Sequence, residues 1–134
     1  MNRILLDTSA YSAMRRGDVR LRTHVQDASE VFLTPVVIGE LLFGFLGGRL
    51  GLDNRDLLRE FVDSPRVAIL ALDGETAERY AVIRRYLRHQ GRPIPVNDLW
   101  IAASAAQHSL RLLTLDEHFK HVPQVLLEYF DPRG

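Results

Sequence analysis

The sequence predicts an α/β fold in three layers (α/β/α), with helices on both faces of a central, mostly parallel sheet. Short apolar runs alternate with longer segments that carry helix start and stop signals, a pattern typical of parallel strands connected by helices. The 134 residues suit one domain, spanning 1–134. With 46% hydrophobic residues, such a domain can bury a core of its own.

Five apolar runs are predicted as strands. A continuous apolar run is expected where a strand is buried on both faces of a parallel sheet, and the third run is predicted to be buried in this way. The runs are 4–6, 31–33, 67–70, 112–115 and a last strand that includes 125–127.

Six helices are predicted between these strands. Thr34 and Pro35 have the residue types of a cap and a first helical position, and Asp73 is a cap for the longest helix. Asn97 and Asp98 are predicted to open the last helix. The helices are 10–14, 17 or 18 to 27, 35 to about 47, 53–62, 74–89 and 97 to about 108.

Composition excludes several kinds of site. The chain contains no cysteine, which rules out disulfides, thiolate zinc sites and cysteine nucleophiles. Basic and acidic residues number 17 each, and 16 of the basic ones are Arg, which suits phosphate contacts but can equally reflect genome base composition. There is no apolar run of about 20 residues and no signal-peptide pattern, so a cytoplasmic protein without a membrane partner is expected.

Four acidic residues stand in apolar surroundings, and two of them directly follow predicted strands. Asp7 follows the first strand and Asp116 the fourth, and the ligand site of a parallel sheet lies beyond the carboxyl ends of its strands. Asp98 and Glu40 are also flanked by apolar residues. Carboxylates in such places cost desolvation and repel one another. A hard divalent cation, magnesium or manganese for oxygen ligands, relieves both effects.

Each acid also has a purely structural interpretation. Asp7 and Asp98 could cap the helices that follow them, and Asp116 could initiate a turn. Glu40 is harder to explain in this way, because it interrupts the apolar face of its helix. The four acids taken together favour a metal site.

At these residues the chain resembles the PIN-domain nucleases, and within them the VapC-type toxins of bacterial and archaeal toxin–antitoxin pairs. Each motif is weak alone, but all four occur in order at fitting separations, and the resemblance covers essentially the whole chain. The motifs are LLDTS at 5–9, ELLFG at 40–44, NDLWIAA at 97–103 and TLDEHF at 114–119.

The resemblance implies a single PIN-like domain that acts as a metal-dependent endoribonuclease, hydrolysing RNA phosphodiester bonds as the toxin of such a pair. Its cofactor would be Mg²⁺, or Mn²⁺, as one ion or two. Its catalytic and metal-binding residues would be Asp7, Glu40, Asp98 and Asp116. Ligating carboxylates also need hydrogen-bond partners, for which the candidates are Thr8, Ser9, Asn97 and Thr114. Ordinary caps and strand-end hydroxyls are the alternative interpretation of these four polar residues.

Three partners are expected: RNA, a VapB-type antitoxin and a second copy of the chain. Any contact with DNA would be made through the antitoxin. The arginines considered for RNA phosphates are Arg15, Arg16, Arg84, Arg85, Arg88 and Arg92. For any one of them, a solvated helix face paired with Glu75 and Glu78 is the alternative.

An apolar set in the middle of the chain predicts the homodimer, because two-fold pairing buries such a patch against itself. The set consists of Phe43, Phe45, Leu46, Leu50 and Leu52, and its alternative place is the core of the monomer. His118 and His121 are interpreted as surface turn residues rather than ligands, and Trp100 and Phe119 as core residues.

Other functions stay open on the sequence alone. A housekeeping PIN-type RNA-processing enzyme or a DNA nuclease would keep the fold, although such DNA nucleases usually carry longer insertions. A degenerate PIN module would bind proteins without catalysis, against which the intact acidic set argues. A receiver-like phosphoryl-transfer domain would need an acidic pair before Asp7 and a Lys after a late strand, whereas the chain has neither that pair nor any Lys besides Lys120.

Overall fold

A single parallel sheet organises the chain, which is described by a computed structural model over residues 2–134. The five strands lie in the order β3-β2-β1-β4-β5, and every neighbouring pair is parallel. The strands are β1 (Arg3–Leu6), β2 (Glu30–Leu33), β3 (Val67–Ile69), β4 (Arg111–Thr114) and β5 (Leu126–Tyr129). The predicted α/β fold with a mostly parallel sheet is confirmed.

Helices flank this sheet, and several begin at the side-chain caps that the sequence predicts. Asp7 accepts the backbone N–H of Ala10, the Thr34 hydroxyl accepts that of Val37, and Asp73 forms a capping box. The helices are α1 (Thr8–Arg15), α2 (Val19–Asp27), α3 (Pro35–Leu46), α4 (Gly51–Val62), α5 (Gly74–His89), α6 (Val96–Gln107) and a 3-10 helix (Glu117–His121).

The central strands carry the core. β1, β2 and β4 lie next to one another, and their apolar side chains are almost entirely shielded from solvent, among them Ile4, Leu5, Leu6, Leu33, Leu112 and Leu113. Because these strands are fixed by the core, the chain segments directly after β1 and β4 start from a rigid edge. Nowhere between residues 2 and 134 is there a helix with both the length and the apolar composition needed to cross a bilayer.

Two local predictions are wrong, and one element was not predicted. The third strand is not buried: Val67 is half-buried and Ile69 is exposed, because β3 is an outer strand paired on one side only, with β2. The last helix begins at Val96 after Pro95, which provides no side-chain cap, so Asp98 lies inside its first turn. The 3-10 helix was not predicted, since a five-residue element with one buried residue, Phe119, gives no apolar repeat.

Candidate metal centre

The carboxyl edge of the sheet brings together the acids that follow adjacent strands. β1 and β4 pair in parallel, with Leu6 opposite Leu113. Asp7 therefore leaves the sheet beside Thr114, and Asp116 follows two residues later. The Asp7 backbone N–H continues the ladder by donating to Leu113 at 3.3 Å. The strand-end rule thus places two of the predicted site residues at one edge.

Asp7 is buried, and both of its carboxylate oxygens accept hydrogen bonds. Oδ1 accepts from the Ser9 hydroxyl at 2.7 Å and from the Ala10 N–H at 2.8 Å, and Oδ2 accepts from the Thr114 hydroxyl. Burial raises the pKa of Asp7 above its ordinary value, although these hydrogen bonds act in the opposite direction. The negative charge of Asp116 raises it further. Asp7 therefore caps α1, and its ionised form is destabilised at the site.

Two hydroxyls tie the ends of β1 and β4 together. The Thr114 hydroxyl donates to Asp7 and accepts the backbone N–H of Asp116 at 2.9 Å. The Ser9 hydroxyl donates to Asp7 and accepts the N–H of Leu115 at 2.9 Å. Since each hydroxyl uses both its proton and a lone pair, the rotamer of Asp7 and the path of the chain into Asp116 are fixed together.

Asp98 and Asp116 form the second part of the site, and His118 joins them. The first turn of α6 carries Asp98, whose Oδ2 lies 3.2 Å from Nδ1 of His118, and Asp116 Oδ1 lies 3.1 Å from the same nitrogen. One potential ligand atom from each of these residues lies within 4.8 Å of the others. Burial, and then the negative charge of Asp116, raise the pKa of Asp98 to about 6.

Glu40 lies at the border of the site rather than within this triplet of ligand atoms. It is half-buried on α3, and its Oε1 accepts the Thr8 hydroxyl at 2.5 Å while its Oε2 accepts the Asn97 amide at 3.2 Å. Thr8 and Asn97 are the chain neighbours of Asp7 and Asp98. Glu40 is thus held between the two segments that carry those acids.

His118 is exposed, as expected of a surface residue. Sequence reasoning did not connect it with the acids, but its ring touches two of the predicted site carboxylates. His121 contacts Arg92 instead, with 3.3 Å between Nδ1 and Nη1. Phe119 is buried as predicted, whereas Trp100 is only half-buried and stacks on Tyr80 at 4.1 Å between ring centroids.

The donor set fits a divalent cation. Asp7 is buried and Asp98 half-buried, and negative charge close by raises the pKa of each. Asp116 and Glu40 add further carboxylate oxygens at the same edge. A hard cation relieves such repulsion and prefers these oxygen ligands.

The candidate arginines for RNA contact differ in the hydrogen bonds that their side chains make within the chain. Arg15 donates to the Tyr11 hydroxyl and to the Leu57 carbonyl, each at 2.9 Å, and so joins α1 to α4. Arg16 is exposed and lines an open groove that also contains Asp116 and His118. On α5, Arg84 donates a hydrogen bond to the Tyr80 hydroxyl. The ion pair of Glu75 within α5 is made with Arg79, which was not among those considered.

Comparison with known proteins identifies the family. A family model described as the PIN domain matches residues 4–125, a span that contains all four predicted site acids. The chain belongs to the PIN-domain family. Ribonuclease VapC5 of Mycobacterium tuberculosis is 31% identical over 115 residues, which cover 86% of this chain and 84% of that protein. Toxin FitB of Neisseria gonorrhoeae is 34% identical over 125 residues, covering 84% of this chain and 87% of that protein.

A solved structure supports the same assignment. The crystal structure of VapBC-5 from Mycobacterium tuberculosis, described as a member of the VapBC family of toxin–antitoxin systems, superposes on this PIN domain with a TM-score of 0.75. The two chains are 29% identical, and the match covers 97% of this chain and 98% of that one. The predicted resemblance to VapC-type PIN domains is confirmed.

Proposed function

We propose that this PIN domain is a divalent-metal-dependent endoribonuclease and the toxin of a toxin–antitoxin pair. The observation that carries the proposal is the convergence of Asp7, Asp98 and Asp116 at the carboxyl edge of the sheet, in a family whose relatives are named ribonucleases and toxins. Without a cation, the carboxylates of such a cluster repel one another. Capping a helix would need only one of these acids, so capping does not explain why they lie together.

The four acids would hold the cation, Mg²⁺ or Mn²⁺, and their neighbours would orient them. When bound, the ion would supply activation of a water molecule for attack and neutralisation of the charge that develops on the phosphate. Ser9 and Thr114 fix the carboxylate of Asp7, and Thr8 and Asn97 fix that of Glu40. Because these hydroxyl and amide groups set the carboxylate positions before substrate arrives, the site is preorganised.

RNA would approach along the open groove beside the site. Arg16, at the end of α1, lines this groove together with Asp116 and His118. A guanidinium there meets the phosphate charge that the acidic site would otherwise repel. Arg15 has a structural role instead, because its guanidinium is held between Tyr11 and Leu57.

The test is cleavage of RNA by the purified chain with Mg²⁺ or Mn²⁺ and with chelator. Asp7→Asn and Asp98→Asn should each abolish cleavage while circular dichroism shows an intact fold, because each substitution removes a charge but little volume. Asp63→Asn, at the exposed C-terminal end of α4, is the matched control and should cleave like the wild type. Full activity in both site variants would show that the acids are not the active site, and cleavage of DNA alone would make the chain a DNA nuclease.

The same proposal includes an antitoxin partner. VapBC-5 is a toxin–antitoxin assembly, and an unrestrained RNase would damage the cell that makes it. A groove between α1, α3 and α4 is lined by Tyr11, Phe45 and Leu57 and shares Arg16 with the site groove. An apolar tail in this groove, with an Arg reaching the acids, would block the site. Co-expression with the neighbouring small gene should rescue growth and yield a complex with lower RNase activity, whereas harmless expression of an active chain without any partner would leave a housekeeping RNase.

We also infer a homodimer, from an apolar ridge on α3 and the segment that follows it. Phe43 and Leu46 are each 80% exposed and Leu52 is 81% exposed, while Phe45 alone of the predicted set packs against the core. Most residues of this set therefore do not lie in the core of the monomer. Sedimentation of the wild type should give twice the mass of one 15.3 kDa chain, and Leu46→Asp should give the monomer. A wild type that stays monomeric at micromolar concentration would contradict the inference.

A further inference from the structure

His118 reaches the carboxylate cluster from a short 3-10 helix. The 3-10 helix starts directly after Asp116, and Asp116 Oδ1 accepts the backbone N–H of His118 at 2.9 Å. This turn brings the ring back over the acid two residues earlier. The side chain is 49% exposed, so burial in the core does not explain its position. Its contacts in the site are the carboxylates of Asp98 and Asp116.

The distances around Nδ1 match those between neighbouring ligands of one cation. Around an octahedral ion with bonds of about 2.1 Å, adjacent ligand atoms lie roughly 3.0 Å apart. Nδ1 of His118 lies 3.1 Å from Asp116 Oδ1 and 3.2 Å from Asp98 Oδ2. Asp116 Oδ1 already accepts one backbone N–H, which leaves a second lone pair for a cation.

We propose that His118 is a nitrogen ligand of the same divalent cation that Asp98 and Asp116 hold, which makes the site a mixed oxygen and nitrogen site. The inference rests on the proposed metal-dependent function. It deepens that function by specifying the metal. Manganese, like magnesium, is commonly held by carboxylates, but as a transition metal it accepts an imidazole nitrogen more readily than magnesium, whose protein ligands are oxygens. The site should therefore prefer Mn²⁺ over Mg²⁺ more strongly than a site built from the carboxylates alone.

A competing explanation of the His118 contacts predicts the opposite effect of its removal on Mn²⁺ affinity. If the His118 ring only donates a proton to the carboxylates as their internal counter-charge, it occupies the place of the cation. Removing the ring would then leave Mn²⁺ binding unchanged or tighter. If the ring is a ligand, removing it weakens Mn²⁺ binding and removes nitrogen from the ion's surroundings.

The experiment is titration of the purified full chain with Mn²⁺ and with Mg²⁺, together with pulsed electron paramagnetic resonance of the Mn²⁺-loaded protein. The wild type should show coupling between the manganese electron spin and a ¹⁴N nucleus. His118→Ala should lose that coupling and bind Mn²⁺ at least ~10-fold more weakly, while Mg²⁺ binding changes less. His118→Asn keeps an N–H donor near the position of Nδ1 but lacks the imidazole lone pair, so it should also lose the coupling.

His121→Ala is the matched control. This residue lies three positions further along the same element and contacts Arg92 rather than the acids, so the variant should keep both the coupling and the affinity. Circular dichroism checks the fold of each variant. Mn²⁺ bound without ¹⁴N coupling, or undiminished Mn²⁺ affinity in His118→Ala, would overturn the role of His118 and leave the proposed nuclease standing. No Mn²⁺ or Mg²⁺ binding by the wild type would overturn both.

Discussion

Replacing Asp98 by Asn should stabilise the metal-free protein at neutral pH. Burial and the charge of Asp116 raise the pKa of Asp98 from 3.8 to about 6. At roughly 1.4 kcal/mol per pKa unit, ionising this side chain costs the folded state about 3 kcal/mol relative to the unfolded state. The Asp98 side chain is only 15% exposed, so solvent screening reduces this value little.

The sign of the pH dependence follows from proton binding. Between pH 3.8 and about 6 the folded state holds the Asp98 proton while the unfolded state has released it. The contribution of this group to stability therefore decreases as pH rises through that window and is constant above it. Asn has no proton to release. The advantage of Asp98→Asn over the wild type should thus be about 2.5 kcal/mol larger at roughly pH 7.5 than at roughly pH 4, where the unfolded state is already partly ionised.

The assay is urea unfolding in chelator at the two pH values, for the wild type, for Asp98→Asn and for a control. Asp73→Asn is the control, because hydrogen bonds from Thr76 and Gln107 lower the pKa of that exposed cap. The stability of Asp73→Asn relative to the wild type should therefore fall, rather than rise, between the lower and the higher pH. Saturating metal should favour the wild type over Asp98→Asn, since the variant loses a ligand. An advantage of Asp98→Asn that is equal at both pH values would refute the electrostatic account of the site.

Three further predictions concern the groups around the acids. Thr114→Val removes the hydroxyl that orients the carboxylate at the end of β1 and should weaken metal binding roughly 10- to 100-fold in a calorimetric titration; unchanged affinity would remove this hydroxyl from the account. Thr8→Val should weaken metal binding less, because Glu40, the acid that Thr8 contacts, lies outside the close group of ligand atoms formed by Asp98, Asp116 and His118; the two variants are compared by the same titration. Arg16→Ala should weaken RNA binding and lower the salt slope by about one, whereas Arg111→Ala, at the opposite end of β4, should not; equal slopes in filter binding would argue against the groove.

Much of the fold follows from local signals in the sequence. The positions of the strands and most helices are predicted from apolar runs and caps, because those signals depend on residues close in sequence. The exposure of β3 could not be predicted in this way. Whether a strand lies at the centre or the edge of a sheet depends on the strand order, which apolar composition does not encode.

The site is predictable to different degrees for different residues. Asp7 and Asp116 follow adjacent parallel strands, so their convergence is a topological consequence. Asp98 and Glu40 stand on helices, and their approach depends on packing that no short motif specifies. The contact of His118 with Asp98 spans 20 residues, so no short motif connects this histidine with the acids. The catalytic role of the four acids stays a prediction.

The central claim is that the acids at the carboxyl edge hold the divalent ion on which RNA hydrolysis depends. The most direct measurement compares two curves for one preparation: Mn²⁺ bound, followed by its paramagnetic resonance signal, and the rate of cleavage of a defined RNA. The two curves should rise together, and Asp116→Asn should lower both. Cleavage that persists in excess chelator, or Mn²⁺ binding that is unaffected by Asp116→Asn, would contradict it.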